Sequence, residues 1–168
     1  MNSEEIPNRS ITLLLRERYV LSDPEIDRLL SHALNINSDM LDTEQDWCTP
    51  VIEGAQYMLK VNGIAMILHN RVSQYFENPN AIAECIISDP EIVEYVHNHK
   101  AWLSVGSLGS DLGKAQEYTA LFRIITQFFN EDVVAMFIPE YETIIRLDRS
   151  RRQLLIDNPK LETMGYKI

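Results

Sequence analysis

Short apolar runs alternate with amphipathic stretches along this chain, and the alternation predicts both strands and helices. Apolar runs predict strands over residues 10–15, 48–53, 56–61, 64–69, 101–108, 132–138 and 142–147. Asn62-Gly63 joins two of these runs and is typical of a two-residue type I′ hairpin turn. We therefore expect residues 56–61 and 64–69 to pair as antiparallel strands.

Helical spacing of apolar residues predicts helices over residues 22–34, 80–87, 90–98, 114–130 and 148–157. The first of these helices begins with Ser22-Asp23-Pro24-Glu25, which combines a capping residue, an early proline and an acidic first turn. Its expected inward-facing stripe is formed by Ile26, Leu29, Leu30, Ala33 and Leu34. Pro79 and Pro90 mark the starts of two other helices. Leu154, Leu155 and Ile156 are the expected contact residues of the last helix, and the polar, acidic residues 35–46 predict a long loop.

The run 101–108 is the expected centre of the fold, since its apolar residues show no clean two-residue alternation and predict a strand buried on both faces. Helix 114–130 links it to strand 132–138. A right-handed crossover would make these two innermost strands parallel, as neighbours or one strand apart. We therefore expect one α+β domain over residues 10–157, with a mixed or largely antiparallel sheet and helices on its face or faces. Residues 1–9 are a polar lead-in, and residues 158–168 are a tail.

The chain has 168 residues and a net charge of −10, and the excess of acid lies in its first 100 residues, with sixteen Asp or Glu against seven Lys or Arg. An acidic chain lacks the concentrated basic face that phosphate binding needs, which argues against a nucleic-acid partner. The acidic half favours either solubility alone or steering of a basic protein partner.

Cysteine usage and the absence of targeting patterns predict a soluble cytoplasmic protein. Cys48 and Cys85 have no spacing typical of a zinc site or a disulfide framework. The first residues, Met-Asn-Ser-Glu-Glu, are not those of a secretory signal, and no apolar run is long enough to span a bilayer. We expect no cofactor, no metal and no membrane association, and either a monomer or a homodimer.

Candidate chemistry gathers around the central strand, but no constellation is complete. His97 and His99 form an H-x-H pair with no marked third metal ligand, so a helix-end role is favoured for both, and His99 is the better functional candidate. Ser104 could be a nucleophile, yet its surroundings lack the glycine pattern of a hydrolase elbow. Both residues are weak catalytic candidates.

The glycine-rich loop bounded by Gly106 and Gly113 is similar to a phosphate-binding loop but departs from it. Gly109 is one residue too close to Gly113, and Ala115 replaces the hydroxyl residue that would contact magnesium. Asp111 would repel a phosphate. A flexible connection into the next helix is therefore favoured over nucleotide binding.

One basic cluster stands out in this acidic chain, formed by Arg146, Arg149, Arg151 and Arg152. Arg149 and Arg152 are three residues apart on a predicted helix, so they share a face and could meet an acidic partner surface. The alternative is a solvated face that balances the acidic half of the chain.

Three segments together resemble a family of uncharacterised bacterial α+β domains. They are the first strand I-T-L-L-L, the central strand H-K-A-W-L-S-V from His99, and the late strand D-V-V-A-M-F-I-P-E from Asp132. The resemblance spans about residues 10–147 and implies the α+β fold. Members of this kind are sometimes found near toxin–immunity systems, which implies a protein partner. The family carries an acid after Ser-Val, where this chain has Gly106.

Two classes of function follow. The first is a non-enzymatic, acidic cytoplasmic domain that binds a protein partner, as an immunity factor or a chaperone does. The second is a small enzyme with a cleft near His99, Ser104 and the loop bounded by Gly106 and Gly113. A buried His99 bonded only to backbone would favour the first class. An open cleft in which His99 meets an acid would favour the second.

Overall fold

The computed structural model describes residues 9–36, 44–86 and 89–166, with no side-chain description for residues 83–86. These residues form a seven-stranded sheet in the order β2-β3-β4-β5-β1-β6-β7, and every neighbouring pair of strands is antiparallel. The strands are β1 Ser10–Leu15, β2 Trp47–Ile52, β3 Gln56–Val61, β4 Ile64–Arg71, β5 Ala101–Ser110, β6 Val133–Ile138 and β7 Thr143–Arg146. The helices are α1 Asp23–Leu34, α2 Pro79–Ile86, α3 Pro90–Asn98, α4 Lys114–Ile125 and α5 Arg149–Asp157. The predicted single α+β domain with an antiparallel sheet is confirmed.

The centre of the sheet is made by β5 and β1. Both β5 and β6 pair with β1 in antiparallel register, so they are parallel to each other with one strand between them, as expected for strands linked by α4. The expectation that β6 is innermost is wrong, because β1 occupies that place and β6 lies next to the edge strand β7. All six residues of β1 are buried, which suits a strand with neighbours on both sides and helices on both faces.

Each face of the sheet carries its own apolar core. The larger core joins Leu13 of β1 and Leu103 of β5 to α1 and α4. The smaller core, on the opposite face, joins Leu14 of β1 to Val96 of α3 and Phe76. Consecutive residues of β1 therefore face opposite cores, as strand geometry requires.

Local sequence signals explain several elements. Asn62 and Gly63 both have positive φ angles, 52° and 79°, as the predicted type I′ hairpin turn requires. Helix α1 buries the whole predicted stripe, namely Ile26, Leu29, Leu30, Ala33 and Leu34. Its C-terminus is closed by Asn35 in the left-handed region, whose N–H bonds to the carbonyl of His32. Residues 37–43 of the predicted long loop lie outside the described residues.

The glycine-rich segment after the central strand is largely strand. β5 continues to Ser110, and Ala65 of β4 pairs with Gly109 across a register shift. The prediction of a flexible loop from Gly106 is therefore wrong for residues 106–110. Leu108, expected to be buried, is exposed.

The C-terminal region departs from expectation in two ways. Only Leu155 of α5 is buried, while Leu154 and Ile156 are exposed, since residues 100° apart on a helix cannot share one narrow contact face. After α5, the segment expected to be a tail places Leu161 in the larger core with no exposed surface.

Candidate functional site

His99 lies at the junction of α3 and β5, and backbone groups occupy both of its ring nitrogens. Nδ1 lies 2.8 Å from the carbonyl oxygen of Val96, and Nε2 accepts the N–H of Tyr75 at 2.8 Å. This arrangement needs a proton on Nδ1 and none on Nε2, which is a neutral imidazole. Burial lowers the pKa of His99 and outweighs the opposite effect of the Val96 and Tyr95 carbonyls. His99 therefore joins α3 to the segment before α2 as a structural link.

An open cleft of about 300 Å³ lies beside His99. Its charged lining residues are Arg16, Glu17, Glu94 and Lys100. Lys100 is engaged by Glu17 at 2.5 Å, and the hydrogen bonds described for His99 go to backbone atoms only. The cleft thus brings acids near His99 without directing one onto its ring.

Ser104 lies within the sheet under the smaller core. Its Oγ accepts a hydrogen bond of 3.0 Å from Thr12 Oγ1 of β1, and His69 of β4 lies directly opposite it on the other side. The spacing of Ser104 and His69 in the sequence does not predict that they lie side by side. They do so because β4 and β5 are neighbours in the sheet. Ser104 and His69 are each only 1% exposed, so this pair is closed to a substrate from solvent.

The three parts of the expected catalytic cleft are spread along one strand. His99 precedes β5, Ser104 lies five residues later, and Gly113 follows the far end of the strand. At about 3.3 Å per residue, His99 and Ser104 are on the order of 16 Å apart along the strand. The structure therefore does not bring them together with the glycine segment.

Arg149 and Arg152 do lie together, at a groove of about 210 Å³ that also contacts Phe129 and Ile156. Arg152 donates a hydrogen bond to the carbonyl of Asn130, which fixes its side chain. Arg149 is exposed and makes no hydrogen bond or ion pair with any part of the chain that is described. The groove thus combines one engaged arginine, one available arginine and an exposed isoleucine.

A charged network that sequence reasoning missed joins the N-terminal end of α4 to β5 and to Arg9. Glu117 is 2% exposed and accepts hydrogen bonds from Arg9 Nη1 at 2.6 Å and from Ser110 Oγ at 2.5 Å. Glu140 accepts from Tyr118 at 2.8 Å and pairs with Lys114 at 2.6 Å. The available signal was the position of Glu117, four residues before Leu121 and so on the apolar face of its helix.

Hydrogen bonds decide the charge state of these two acids. Burial alone raises the pKa of Glu117, but bonds from Ser110 and Arg9, with the charge of Arg9, lower it below its ordinary value. Burial also raises the pKa of Glu140, and bonds from Lys114 and Tyr118 outweigh it in the same way. Both carboxylates are therefore ionised and engaged, which suits a clamp between elements better than an acid–base pair.

Cys48, the cysteine whose side chain is described, does not form a reactive site. Cys48 is a half-buried free thiol, and burial, followed by the charges of Asp27 and Asp23, raises its pKa to about 12. A thiol with so high a pKa is almost wholly protonated at neutral pH and is a poor nucleophile. The side chain of Cys85 lies outside the described residues.

Comparison of the chain with protein-family models, curated proteins and solved structures finds no significant match. Within residues 9–36, 44–86 and 89–166, no helix has the length and apolar character needed to cross a membrane. The same residues contain no group of three or more His, Cys, Asp or Glu side chains placed to hold a metal ion.

Helix α5 presents apolar and cationic side chains together on the described surface. His99 is neutral and bonded to backbone, Ser104 is enclosed, and Glu117 is held by an ion pair. α5, by contrast, exposes Leu154, at 48%, and Ile156, at 47%, among its arginines. Exposed apolar groups among cations are suited to binding a surface that is apolar and acidic.

Proposed function

We propose that this chain is a non-enzymatic protein-binding domain of the cytoplasm, of the immunity or chaperone-like type. The observation that carries the proposal is the surface of α5, on which Leu155 alone is buried while three arginines and two large apolar side chains face outward or line grooves. Its partner offers acidic side chains to Arg149 and Arg152 and apolar ones to Ile156.

The state of His99 supports this proposal over the enzymatic alternative. A general acid or base must exchange a proton with a substrate, yet Nε2 of His99 is occupied by the Tyr75 N–H and Nδ1 by the Val96 carbonyl. A histidine used in this way stabilises a chain connection. The resemblance to bacterial domains found near toxin–immunity systems agrees with a protein partner.

The alternative of a small enzyme has one specific feature in its favour, the cleft of about 300 Å³ beside His99. Arg16, Lys100 and Glu94 line it and could bind a small charged molecule. If this alternative holds, a small molecule co-purifies with the chain, and its retention depends on the cleft and not on α5.

The test is affinity capture from native lysate, with the bound material quantified by mass spectrometry. We expect a protein captured in stoichiometric amount by the wild type and by Arg28→Glu/Arg123→Glu, which reverses two exposed arginines on other helices. Capture should fall at least about tenfold with Arg149→Glu/Arg152→Glu, a loss of about 1.4 kcal/mol in binding.

Two outcomes would contradict the proposal. One is equal capture by both double variants, which would remove α5 as the binding surface. The other is the absence of any protein partner together with a small molecule that is lost in Lys100→Ala, which lines the cleft beside His99. The second outcome would favour the enzymatic alternative.

A further inference from the structure

Within the described part of the chain, no strand lies beside the outer edge of β7, the last strand of the sheet. Among the described strands β7 is hydrogen-bonded to β6 only, and the N–H of Leu147 continues that pairing by donating to the Val134 carbonyl at 3.1 Å. Because backbone groups alternate in direction along an antiparallel strand, the N–H and C=O groups of Ile144 and Arg146 point away from β6. These groups form no backbone hydrogen bond with another element of the described chain, although the Arg146 carbonyl accepts one from the side chain of Arg151 at 3.2 Å.

Apolar side chains flank this edge on both faces of the sheet. A groove of about 400 Å³ spans the edge. On one side it is lined by Ile92 of α3 and Ile144, which belong to the smaller core. On the other side it is lined by Ile145, Leu154 of α5 and Met164. Alternate side chains of a strand added to β7 would therefore enter apolar surroundings above and below the sheet.

The opposite edge of the sheet is protected, and β7 is not protected in the same way. β2 carries Pro50 within the strand, and its register with β3 shifts between Pro50 and Ile52. A proline removes a backbone donor, and a register irregularity bends the strand, so both devices oppose pairing with another chain. The four residues of β7 include no proline, and its register with β6 is continuous.

Charge indicates what kind of strand would pair there. Arg151 lines the groove, and Arg149 lies on the same helix without an ionic partner among the described residues. If the β7 strands of two copies of the chain paired in antiparallel orientation, their α5 helices would lie side by side on one face of the joined sheet. The arginines of the two helices would then be close together. Like charges brought together oppose association, so a second copy of this chain is disfavoured and an acidic segment is favoured.

We propose that the β7 edge binds an extended acidic segment of a protein partner by strand addition, with apolar residues at alternate positions. The N–H and C=O groups of Ile144 and the N–H group of Arg146 pair with the segment, and Leu154 and Ile92 contact its apolar side chains. Arg151, which donates one hydrogen bond to the Arg146 carbonyl, directs its remaining N–H groups to an acid of the segment. The proposal rests on the proposed protein-binding function and names the binding mode and the chemistry of the partner.

A displayed library of random short peptides, selected against the purified full-length chain, supplies the probe. We expect the enriched peptides to alternate apolar and other residues and to contain acids. Binding of a synthetic enriched peptide should slow amide exchange at Ile144 and Arg146 at least about tenfold. Leu154→Lys should weaken binding at least about tenfold, and Leu108→Lys should leave it unchanged, since Leu108 lines neither groove of α5.

Leu154 and Leu108 are a matched pair of test and control, because both are leucines that are 48% exposed and neither supports the core. Peptides that depend on Ile156 and Arg149, and leave the Ile144 amide in free exchange, would overturn strand addition while leaving α5 as a binding surface. Failure to enrich any peptide would also overturn it. Protection of Ile144 without peptide, rising with chain concentration alongside a doubled mass, would assign the edge to a second copy instead.

Discussion

Nη1 of Arg9 lies 2.6 Å from Oε2 of Glu117, and this ion pair joins residues 108 positions apart in the chain. Arg9 directly precedes β1, while Glu117 lies in the first turns of α4 and also accepts from Ser107 and Ser110 of β5. One buried carboxylate thus connects the start of the first strand to the end of the central strand and to the helix that follows it.

Replacing this carboxylate by an amide should destabilise the fold. Glu117→Gln removes the ionic partner of Arg9 and turns charge-assisted hydrogen bonds into neutral ones, at an expected cost of about 1–3 kcal/mol in the free energy of unfolding. Urea denaturation at neutral pH measures this loss. Glu77→Gln, at an exposed site, is the control and should change the stability by less than about 0.5 kcal/mol.

The stability lost in Glu117→Gln, relative to the wild type, should depend on pH. Because the pKa of Glu117 is lower in the folded chain than in the unfolded one, its contribution is complete above the unfolded value of about 4.3. That contribution is lost as pH falls through the lower folded pKa. The stability difference between wild type and Glu117→Gln should therefore narrow in strong acid, and a difference that grows there would contradict an ionised Glu117.

His99 should keep its neutral form below the pH at which a free histidine becomes charged. Its pKa is lowered by burial, so the unfolded chain binds more protons and stability falls as pH drops below about 6.5. NMR of the imidazole nitrogens should show a proton on Nδ1 and none on Nε2 at pH 7. An unperturbed titration near 6.5 would show that the backbone bonds of His99 do not persist in solution.

A His99→Gln variant separates the pH dependence of stability that His99 causes from any pH dependence caused by the other histidines. It should lose about 1–2 kcal/mol at pH 7.5, because the Tyr75 N–H and the Val96 carbonyl lose a well-placed partner. Between pH 7 and pH 5.5 its stability should vary less than that of the wild type. Asn98→Gln, at an exposed site beside His99 that carries no titratable group, should retain the wild-type profile.

Leu161 should contribute as much to the free energy of unfolding as a residue in the core of the domain. Leu161→Ala removes a fully buried side chain from the larger core and should cost about 2–4 kcal/mol. Leu154→Ala, on the exposed surface of α5, should change stability by less than about 0.5 kcal/mol. Thermal and urea unfolding of the two variants measure the contrast, and equal stability would mean that residues 158–166 do not pack as described.

Features set by neighbouring residues could be predicted from the sequence. The hairpin at Asn62-Gly63, the bounds of β1 and the buried stripe of α1 each depend on short-range signals, and all are confirmed. The parallel relation of β5 and β6 could also be predicted, because α4 links them and fixes their relative direction.

Features set by strand order could not be predicted in this way. The placement of β1 between β5 and β6, the pairing of Ser104 with His69 and the Arg9–Glu117 ion pair all join distant parts of the chain. The extension of β5 past the predicted residue 108 to Ser110 is of the same kind, since glycine favours loops locally but Gly109 here pairs with Ala65 of β4. The exposure of Leu154 and Ile156 depends on how α5 is rotated against the core.

The central position of β1 has a consequence for how the chain folds. β1 precedes the other described strands in the chain, yet both strands that pair with it, β5 and β6, come from the second half of the domain. Closing so large a loop has a high entropic cost, so sheet completion should be the slow kinetic step. The β2-β3-β4 meander can form during synthesis on the ribosome. Over the same period both edges of the apolar segment I-T-L-L-L remain without a paired strand. During this interval the nascent chain is most prone to aggregate.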